Sequence, residues 1–185
     1  MTRRLSAAVL ALWLCVYAGI ARAEQRTTTA EDDIKAAFLY NFTRFIEWPP
    51  AAAADAFRIC TVAEPAFGSA VERAVAGELL DGRPILQVSP PTPENARSCH
   101  ILFLGRLEDP RAERWIVAVR GTPVLVVGES RGAWEHGAQI NFVLDDNRVK
   151  FDVNTDAAGQ AGLTISSKLL RVAVTRPPSR SNRRW

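Results

Sequence analysis

The sequence has few of the residues from which metal and cofactor sites are built. It contains three cysteines and two histidines. His100 and His136 do not combine with those cysteines at the paired spacing of a zinc site. The glycine-rich fingerprint G-x-G-x-x-G, which holds the pyrophosphate of a dinucleotide, follows none of the apolar runs. We therefore expect neither a metal nor a cofactor.

Apolar runs of membrane-spanning length are also missing. The run over residues 7–20 is shorter than the ~20 residues that a span needs. It follows Arg3 and Arg4 and precedes Ala21-Arg22-Ala23, a small-residue cleavage site. We predict a cleaved signal peptide over residues 1–23 and hence an exported protein. Two less favoured alternatives are an uncleaved anchor and a lipoprotein at Cys15.

The mature chain has no excess of charge of one sign. The full sequence holds 23 basic and 20 acidic residues. The predicted signal peptide contains three arginines and no acid, so both counts become 20 after cleavage. Four arginines lie in the tail at 175–185, which we predict to be disordered. The remaining domain, residues 24–174, is mildly acidic, which argues against a nucleic-acid surface.

The stretch 31–48 predicts the helix around which the domain is organised. Thr28 and Glu31 fit a capping box at its start, and Pro49-Pro50 would end it. Tyr40 and Asn41 fall on the polar side, where Tyr40 is either a surface residue with its hydroxyl in water or a contact for a partner. The apolar residues at three- and four-residue spacing, which we expect to face the core, are Ile34, Phe38, Phe42, Phe45 and Ile46.

Beyond this helix, predicted strands alternate with predicted helices. Alternation of this kind favours an α/β fold with a Rossmann-like, mostly parallel sheet flanked by helices. The last two strands flank Asp145-Asp146-Asn147 and predict an antiparallel β-hairpin near the C-terminus. In the last helix we expect Leu169, Leu170 and Val172 to face inward. The predicted strands are 57–63, 84–88, 100–104, 123–127, 139–144 and 148–153, and the predicted helices are 65–77, 109–120, 156–161 and 168–174.

Of the two cysteines of the mature chain, Cys60 lies in the first predicted strand and Cys99 directly precedes the strand predicted at 100–104. In an oxidising compartment such a pair favours a structural disulfide. It would close a loop of about 40 residues and contribute about 4 kcal/mol in the chain-entropy model. A redox-responsive bond and two free thiols remain alternatives.

No catalytic constellation is complete. Gly128-Glu-Ser130-Arg-Gly132 matches the nucleophile elbow G-x-S-x-G after a strand, but no histidine follows His136 to complete a triad. The motif therefore predicts a glycine-bounded turn. The acids around residues 145–156 do not have the spacing of a calcium loop and suit a hairpin turn. Trp48, Trp115 and Trp134 are expected in the core or at its rim rather than in a ligand cage.

Several segments together resemble the YfiR family of periplasmic proteins. They are residues 35–49 (KAAFLYNFTRFIEWP), 99–104 (CHILFL), 140–154 (INFVLDDNRVKFDVN) and 161–171 (AGLTISSKLLR). The match covers residues 31–173, and it rests on the order and spacing of these segments after an export signal. The resemblance implies an α/β sandwich that forms a homodimer. Cys60 and Cys99 match the family's structural disulfide, whereas the second cysteine pair of some members has no counterpart here.

The resemblance also implies a function without enzymatic activity. Proteins of this family repress a YfiN-like diguanylate cyclase in the inner membrane by binding its periplasmic sensor part, which lowers cyclic di-GMP and biofilm formation. We expect partner contacts at Tyr40, Asn41 and Trp48 and along the hairpin. The hairpin candidates are Asn141, Asp145, Asp146, Arg148 and Asp152. An alternative is that Asn141, Arg148 and Asp152 only hold the hairpin together.

A second hypothesis is a periplasmic protein that binds a small molecule and tunes a signalling or transport partner. Ligands of open α/β sheets bind at the carboxyl ends of parallel strands. Here these ends precede the loops after Ala63, Gly105 and Gly128. A pocket lined by Arg106 or Arg131 and an aromatic residue would favour this hypothesis.

Overall fold

The structure is a computed structural model that describes residues 30–50, 54–90 and 92–174. The predicted signal peptide, the capping residue Thr28 and the predicted tail at 175–185 lie outside the described residues. A single domain over residues 24–174 and a homodimer both stay predictions.

The core of the fold is a seven-stranded, mostly parallel sheet, as predicted. Five strands run parallel in the order β4-β2-β5-β6-β7, and β3 and β8 are antiparallel at the two edges. A small separate sheet pairs β1 with β9. The strands are β1 (Ile46–Glu47), β2 (Phe57–Val62), β3 (Leu79–Leu80), β4 (Arg83–Val88), β5 (Ile101–Leu104), β6 (Leu125–Gly128), β7 (Ile140–Asp145), β8 (Arg148–Val153) and β9 (Thr164–Ile165).

Helices cover both faces of the sheet. The helices are α1 (residues 30–42), α2 (Pro65–Val75), α3 (Asp109–Val119), α4 (Arg131–His136), α5 (Thr155–Gln160) and α6 (Ser167–Leu170). Helices α1 and α2 share one apolar core with α5 and α6. Helices α3 and α4 form the other core on the opposite face, together with a 3₁₀ helix at Pro93–Ser98. Alternate residues of the central strands point into the two cores.

Helix α1 is shorter than predicted and is rotated about its axis. It ends at Phe42, and after a turn the chain forms β1. Phe38 and Phe42 pack against Phe142 and Phe151 of the β7–β8 hairpin, with ring centroids 5.3–6.0 Å apart. This contact turns Ile34 outward, where 48% of it is exposed. The predicted inward position of Ile34 is therefore wrong.

The buried side of α1 and of the turn that follows it instead includes polar residues. Lys35 and Thr43 are 5% and 4% exposed. Their polar groups are satisfied, because Lys35 pairs with carboxylates and the Thr43 hydroxyl donates to the Tyr40 carbonyl at 2.7 Å.

Near the C-terminus, Leu169 is buried as predicted, but Leu170 and Val172 are 39% and 67% exposed. Helix α6 ends at Leu170, so the inward positions predicted for these two residues are wrong.

The motif at residues 128–132 begins helix α4 rather than a simple turn. The Ser130 hydroxyl accepts a hydrogen bond from the Ala133 amide at 3.1 Å, as an N-cap residue does. Gly137, with φ of 108°, ends the helix. Gly132 allows α4 to approach α3, because a Cβ there would lie 1.9 Å from Asp109 Oδ1. The Ser130 hydroxyl thus caps the amino end of α4.

Candidate functional site

Cys60 and Cys99 form a disulfide, as predicted. It joins β2 to the segment before β5, with the two Cα atoms 5.9 Å apart. Cys60 is fully buried and Cys99 is 4% exposed. The bond lies inside the α3-side core, where a reductant cannot approach the sulfurs without local opening. Its position therefore fits a structural staple.

The partner contacts predicted on α1 lie in two places. The Tyr40 hydroxyl donates to Glu78 Oε2 at 2.5 Å and accepts from Arg44 Nη2 at 2.5 Å, so it does not lie free in water. The hydrogen bond to Glu78 raises the Tyr40 pKa. Asn41 beside it is exposed. Trp48 lies at the amino edge of the sheet, where its Nε1 donates to the His100 carbonyl at 3.2 Å.

The partner contacts predicted on the hairpin are also divided. Asn141 and Asp152 oppose each other across β7 and β8 and are 5% and 2% exposed, so a partner reaches neither of them directly. Asp145 and Arg148 are paired at the exposed tip, next to Asp146 in the turn. Lys150 donates to Asp145 at 2.5 Å and lowers its pKa. The candidates therefore do not form one continuous surface.

An open cleft of about 390 Å³ lies at the carboxyl ends of the strands. Strand β6 ends at Gly128, opposite Asn141, whereas β7 continues to Asp145 in partnership with β8 alone. The hairpin therefore projects beyond the parallel sheet and forms one wall. The loops after β5 and β6, the start of α1 and helix α4 form the rest. The lining residues are Glu31, Lys35, Arg106, Glu129, Ser130, Arg131, Trp134, Asn141, Phe142, Val143, Leu144 and Val149.

A charge cluster at one end of this cleft holds α1 against the β6–α4 loop. The buried Lys35 ammonium lies 2.6 Å from Glu31 Oε1 and also pairs with Glu129. Arg106 adds a contact to Glu31 at 3.2 Å. Burial raises the pKa of nearby Asp32, and the carboxylates of Glu129 and Glu31 raise it further against the opposing effect of Lys35. The cluster thus fixes the start of α1 at the cleft.

Of the charged side chains that line the cleft, two arginines are the most exposed. The side chains of Arg106 and Arg131 are 72% and 89% exposed. The carboxylates of Glu31 and Glu129 are only 18% and 12% exposed. Glu135 pairs with Arg131 at 2.7 Å on the surface of α4. Since exposed ion pairs are weak, the Arg131 guanidinium can exchange Glu135 for an external anion.

Asn141, which lines the cleft, has a buried side-chain amide. Its Nδ2 donates to the Phe142 carbonyl at 3.2 Å, but within the described residues its Oδ1 has no hydrogen-bond partner. A Cβ on Gly128 would lie 2.9 Å from that oxygen, so glycine at 128 leaves room for the amide. A buried acceptor without a donor costs about 1–3 kcal/mol.

A second cleft, of about 460 Å³, shares the charge cluster with the first. Across the sheet the parallel strands lie in the order β4-β2-β5-β6-β7. The chain therefore adds strands in one direction from β2 to β4 and in the other direction from β5 onward, so the winding of the sheet reverses between β2 and β5. Gly105 sits at this point, and its missing side chain allows contact with Ala63, whose Cβ would be 2.9 Å from a Cβ on residue 105. Ligands of doubly wound folds bind at such a reversal. The second cleft lies between the loops after β2 and β5.

The pocket described for the small-molecule hypothesis is therefore present, although parts of it were not predicted. The loops after Gly105 and Gly128 do line it, with both arginines and the aromatic Trp134. Lys35 and Glu129 were missed. The spacing of Glu31 and Lys35, four residues apart on a helix, was the available signal. Within the described ranges, no group of residues could hold a metal ion, and no helix is long and apolar enough to cross a membrane.

The family of the chain follows from comparison with known proteins. A family model described as YfiR/HmsC-like matches residues 32–174, so the chain belongs to the YfiR/HmsC-like family. A search of curated proteins found no match. A solved structure titled as a conserved domain protein from Vibrio cholerae O1 biovar El Tor strain N16961 is 16% identical, with a TM-score of 0.46. That similarity covers 63% of this chain and 53%, about half, of the other.

Proposed function

We propose that this protein is an exported, periplasmic regulator that binds the periplasmic part of a membrane diguanylate cyclase and holds the cyclase inactive. The observation that supports this proposal is membership of the YfiR/HmsC-like family over residues 32–174, which include almost every described element. The proposal requires no catalytic residue. It requires only that the protein bind one conformation of the cyclase better than the other.

The energetic requirement for such repression is moderate. To change a cyclase from mostly active to mostly inactive, the two conformations must differ in affinity by about 5.5 kcal/mol. A few buried contacts supply that difference in protein interfaces. The exposed hairpin tip, with Leu144 55% exposed, offers an apolar side chain for such a contact.

The test is the level of intracellular cyclic di-GMP in the source bacterium with and without the gene. We expect the level to rise on deletion and to return when the full chain is supplied. A matched control lacks residues 2–23 and should fail to restore the level, because it stays in the cytoplasm. An unchanged level on deletion would contradict cyclase repression, and rescue by the truncated chain would contradict the periplasmic site of action.

A second candidate function is the binding of a small molecule that tunes a signalling partner. The observation that favours it is the cleft with Arg106, Arg131 and Trp134 at the carboxyl ends of the strands. Its volume is within the range of ligand sites. The test is mass spectrometry of small molecules released on denaturing the protein purified from the periplasm. A compound that is released by the wild type and lost in Trp134→Ala is the expected result, and no released compound would contradict this function.

A further inference from the structure

We propose that a third cavity, at the amino ends of β6 and β7, binds a small uncharged molecule that has an apolar body and a carbonyl oxygen. The cavity has a volume of about 500 Å³, which is within the range of ligand sites. It shares no lining residue with the two clefts described above. The inference therefore goes beyond both candidate functions and depends on neither.

The cavity lies where the ends of three helices meet the sheet. Helix α3 ends at Val119, shortly before β6, and α4 ends at His136, shortly before β7. Helix α5 follows β8 and contributes Ala157 and Ala161 to the lining. Because strands run away from the helices that precede them, this cavity is at the opposite edge of the sheet from the two clefts at the carboxyl ends.

A buried amide donor lines this cavity and has no acceptor in the protein. Gln139 is 6% exposed, and its Oε1 accepts a hydrogen bond from the Val126 amide at 2.6 Å, which fixes the orientation of the side-chain amide. Its Nε2 makes no hydrogen bond within the described residues, but it is not among the fully enclosed polar atoms. Since the little open space beside Gln139 belongs to the cavity, a ligand oxygen in the cavity can accept from Nε2.

The walls of the cavity are largely apolar. Ile116, Val119 and Val126 line it and are 5%, 4% and 1% exposed, so these walls are packed parts of the α3-side core. Ala157 and Ala161 add half-buried methyl groups from α5. An alkyl chain or ring in the cavity would remove further apolar surface from water. The walls therefore favour a ligand with an apolar body.

The charges around the cavity select neither an anion nor a cation. Among the described residues that line it there is no aspartate or glutamate, so nothing balances a buried cation. Arg120 lines it but is exposed and caps the C-terminal end of α3, where the helix dipole is negative and offsets the guanidinium charge. Burial of a charge without a partner is costly. An uncharged acceptor, such as the oxygen of a ketone, lactone or amide, meets the Nε2 donor without that cost.

The test uses nuclear magnetic resonance of the ¹⁵N-labelled mature protein and three probes with the same six-membered ring. Cyclohexanone has the carbonyl oxygen, cyclohexanecarboxylate is an anion and cyclohexylamine is a cation at pH 7. We expect cyclohexanone to shift the side-chain amide signal of Gln139 in a saturable way. The two charged probes should bind more weakly, because the cavity does not compensate their charge.

Variants connect the binding to the cavity. Gln139→Glu keeps an oxygen for the Val126 amide but replaces the Nε2 donor with an acceptor, and it should weaken cyclohexanone binding at least about fivefold. Because a buried carboxylate can disturb the fold, Ala157→Leu provides an independent check, since its larger side chain fills part of the cavity and should abolish binding. Gly159→Leu is the matched control on α5: a Cβ there meets nothing within 4 Å, and binding should be unchanged.

The proposal would be overturned by any of four results: no saturable shift of the Gln139 signal with cyclohexanone, tighter binding of either charged probe, equal binding by Gln139→Glu and the wild type, or equal binding by Ala157→Leu and Gly159→Leu. The first result would mean that water alone pairs with Nε2. These measurements need neither the cyclase nor the cleft beside Trp134, so their failure leaves both candidate functions as they stand.

Discussion

At the scale of single residues, His100 connects the amino ends of β2 and β5. Its Nδ1 accepts a hydrogen bond from the Arg58 amide at 3.1 Å, and its ring stacks on Phe57 at 4.4 Å. Replacement by alanine leaves that amide without its acceptor and removes the ring contact. We expect His100→Ala to lower the free energy of unfolding by about 1–3 kcal/mol, as measured by urea denaturation.

The other histidine provides the control for this prediction. His136 lies at the C-terminal end of α4, 3.9 Å from Glu113, with 31% of its side chain exposed. His136→Ala should change the free energy of unfolding by less than about 0.5 kcal/mol. Equal effects of the two substitutions would show that the buried hydrogen bond of His100 does not stabilise the fold.

Asp32, near the start of α1, makes stability depend on pH. Its pKa is raised above 3.8, first by burial and then by the carboxylates of Glu129 and Glu31. The folded chain therefore holds the proton more tightly than the unfolded chain. The stability from protonated Asp32 is fully present below pH 3.8 and is lost as the pH rises through the folded pKa.

It follows that ionised Asp32 destabilises the protein at neutral pH. We expect Asp32→Asn to raise the free energy of unfolding at pH 7, and this gain should disappear as the pH falls below 3.8. Denaturation in urea at several pH values measures it. Asp33→Asn is the control, because Asp33 is exposed and pairs with Arg73 at 2.8 Å; it should give no gain. A gain for Asp32→Asn that is the same at every pH would contradict the explanation.

At the scale of elements, the disulfide fastens β2 to β5. The two cysteines are 39 residues apart in the sequence, and the loop between them contains α2, β3 and β4. The chain-entropy model gives a loss of about 4 kcal/mol when the bond is absent. We therefore expect the Cys60→Ala/Cys99→Ala protein to unfold at markedly lower urea concentration than the wild type.

Burial of the bond also predicts how it responds to reductant. In the folded protein, dithiothreitol should release no thiols over a period in which it reduces the urea-unfolded protein completely. Thiol titration with and without urea measures this difference. Rapid reduction of the folded protein would instead support the redox-responsive alternative.

Elements that depend on local pattern were predictable from the sequence, and those that depend on distant pairing were not. The strands with continuous apolar runs, such as β5 and β6, lie within two residues of their predicted bounds. The end of α1 was misplaced because Ile46 and Glu47 pair with Ile165 and Thr164, far along the chain. Nothing near residue 46 shows that a strand will begin there.

The candidate site shows the same division. The rule for parallel sheets located the loops after Gly105 and Gly128, because strand direction alone determines where these loops meet. Lys35 was not predicted in the site, because a lysine on a helix is usually exposed and its second carboxylate comes from the β6–α4 loop. Asn141 was expected to contact a partner, but its position opposite Gly128 in the sheet leaves it only 5% exposed beside the cleft.

At the scale of the whole molecule, the two cores share the same strands. Ile59, Ile101 and Phe103 belong to the core under α1 and α2, whereas Cys60, Leu102 and Leu104 belong to the core under α3 and α4. These residues alternate along β2 and β5, so neither layer can lose its helices without exposing the other side of the same strands. The sheet therefore couples the layers energetically.

This coupling predicts a single unfolding transition for both faces of the sheet. Trp48 reports on the face covered by α1, and Trp115, 6% exposed, reports on the α3 side. In urea, tryptophan fluorescence and far-UV circular dichroism should give the same midpoint. Two variants of the mature chain, in which either Trp48 or Trp115 is the single remaining tryptophan and the others are phenylalanine, separate the two fluorescence signals. If the Trp115 signal changed at lower urea than the Trp48 signal, the α3–α4 layer would unfold on its own. The shared strands would then not be enough to make the two cores one cooperative unit.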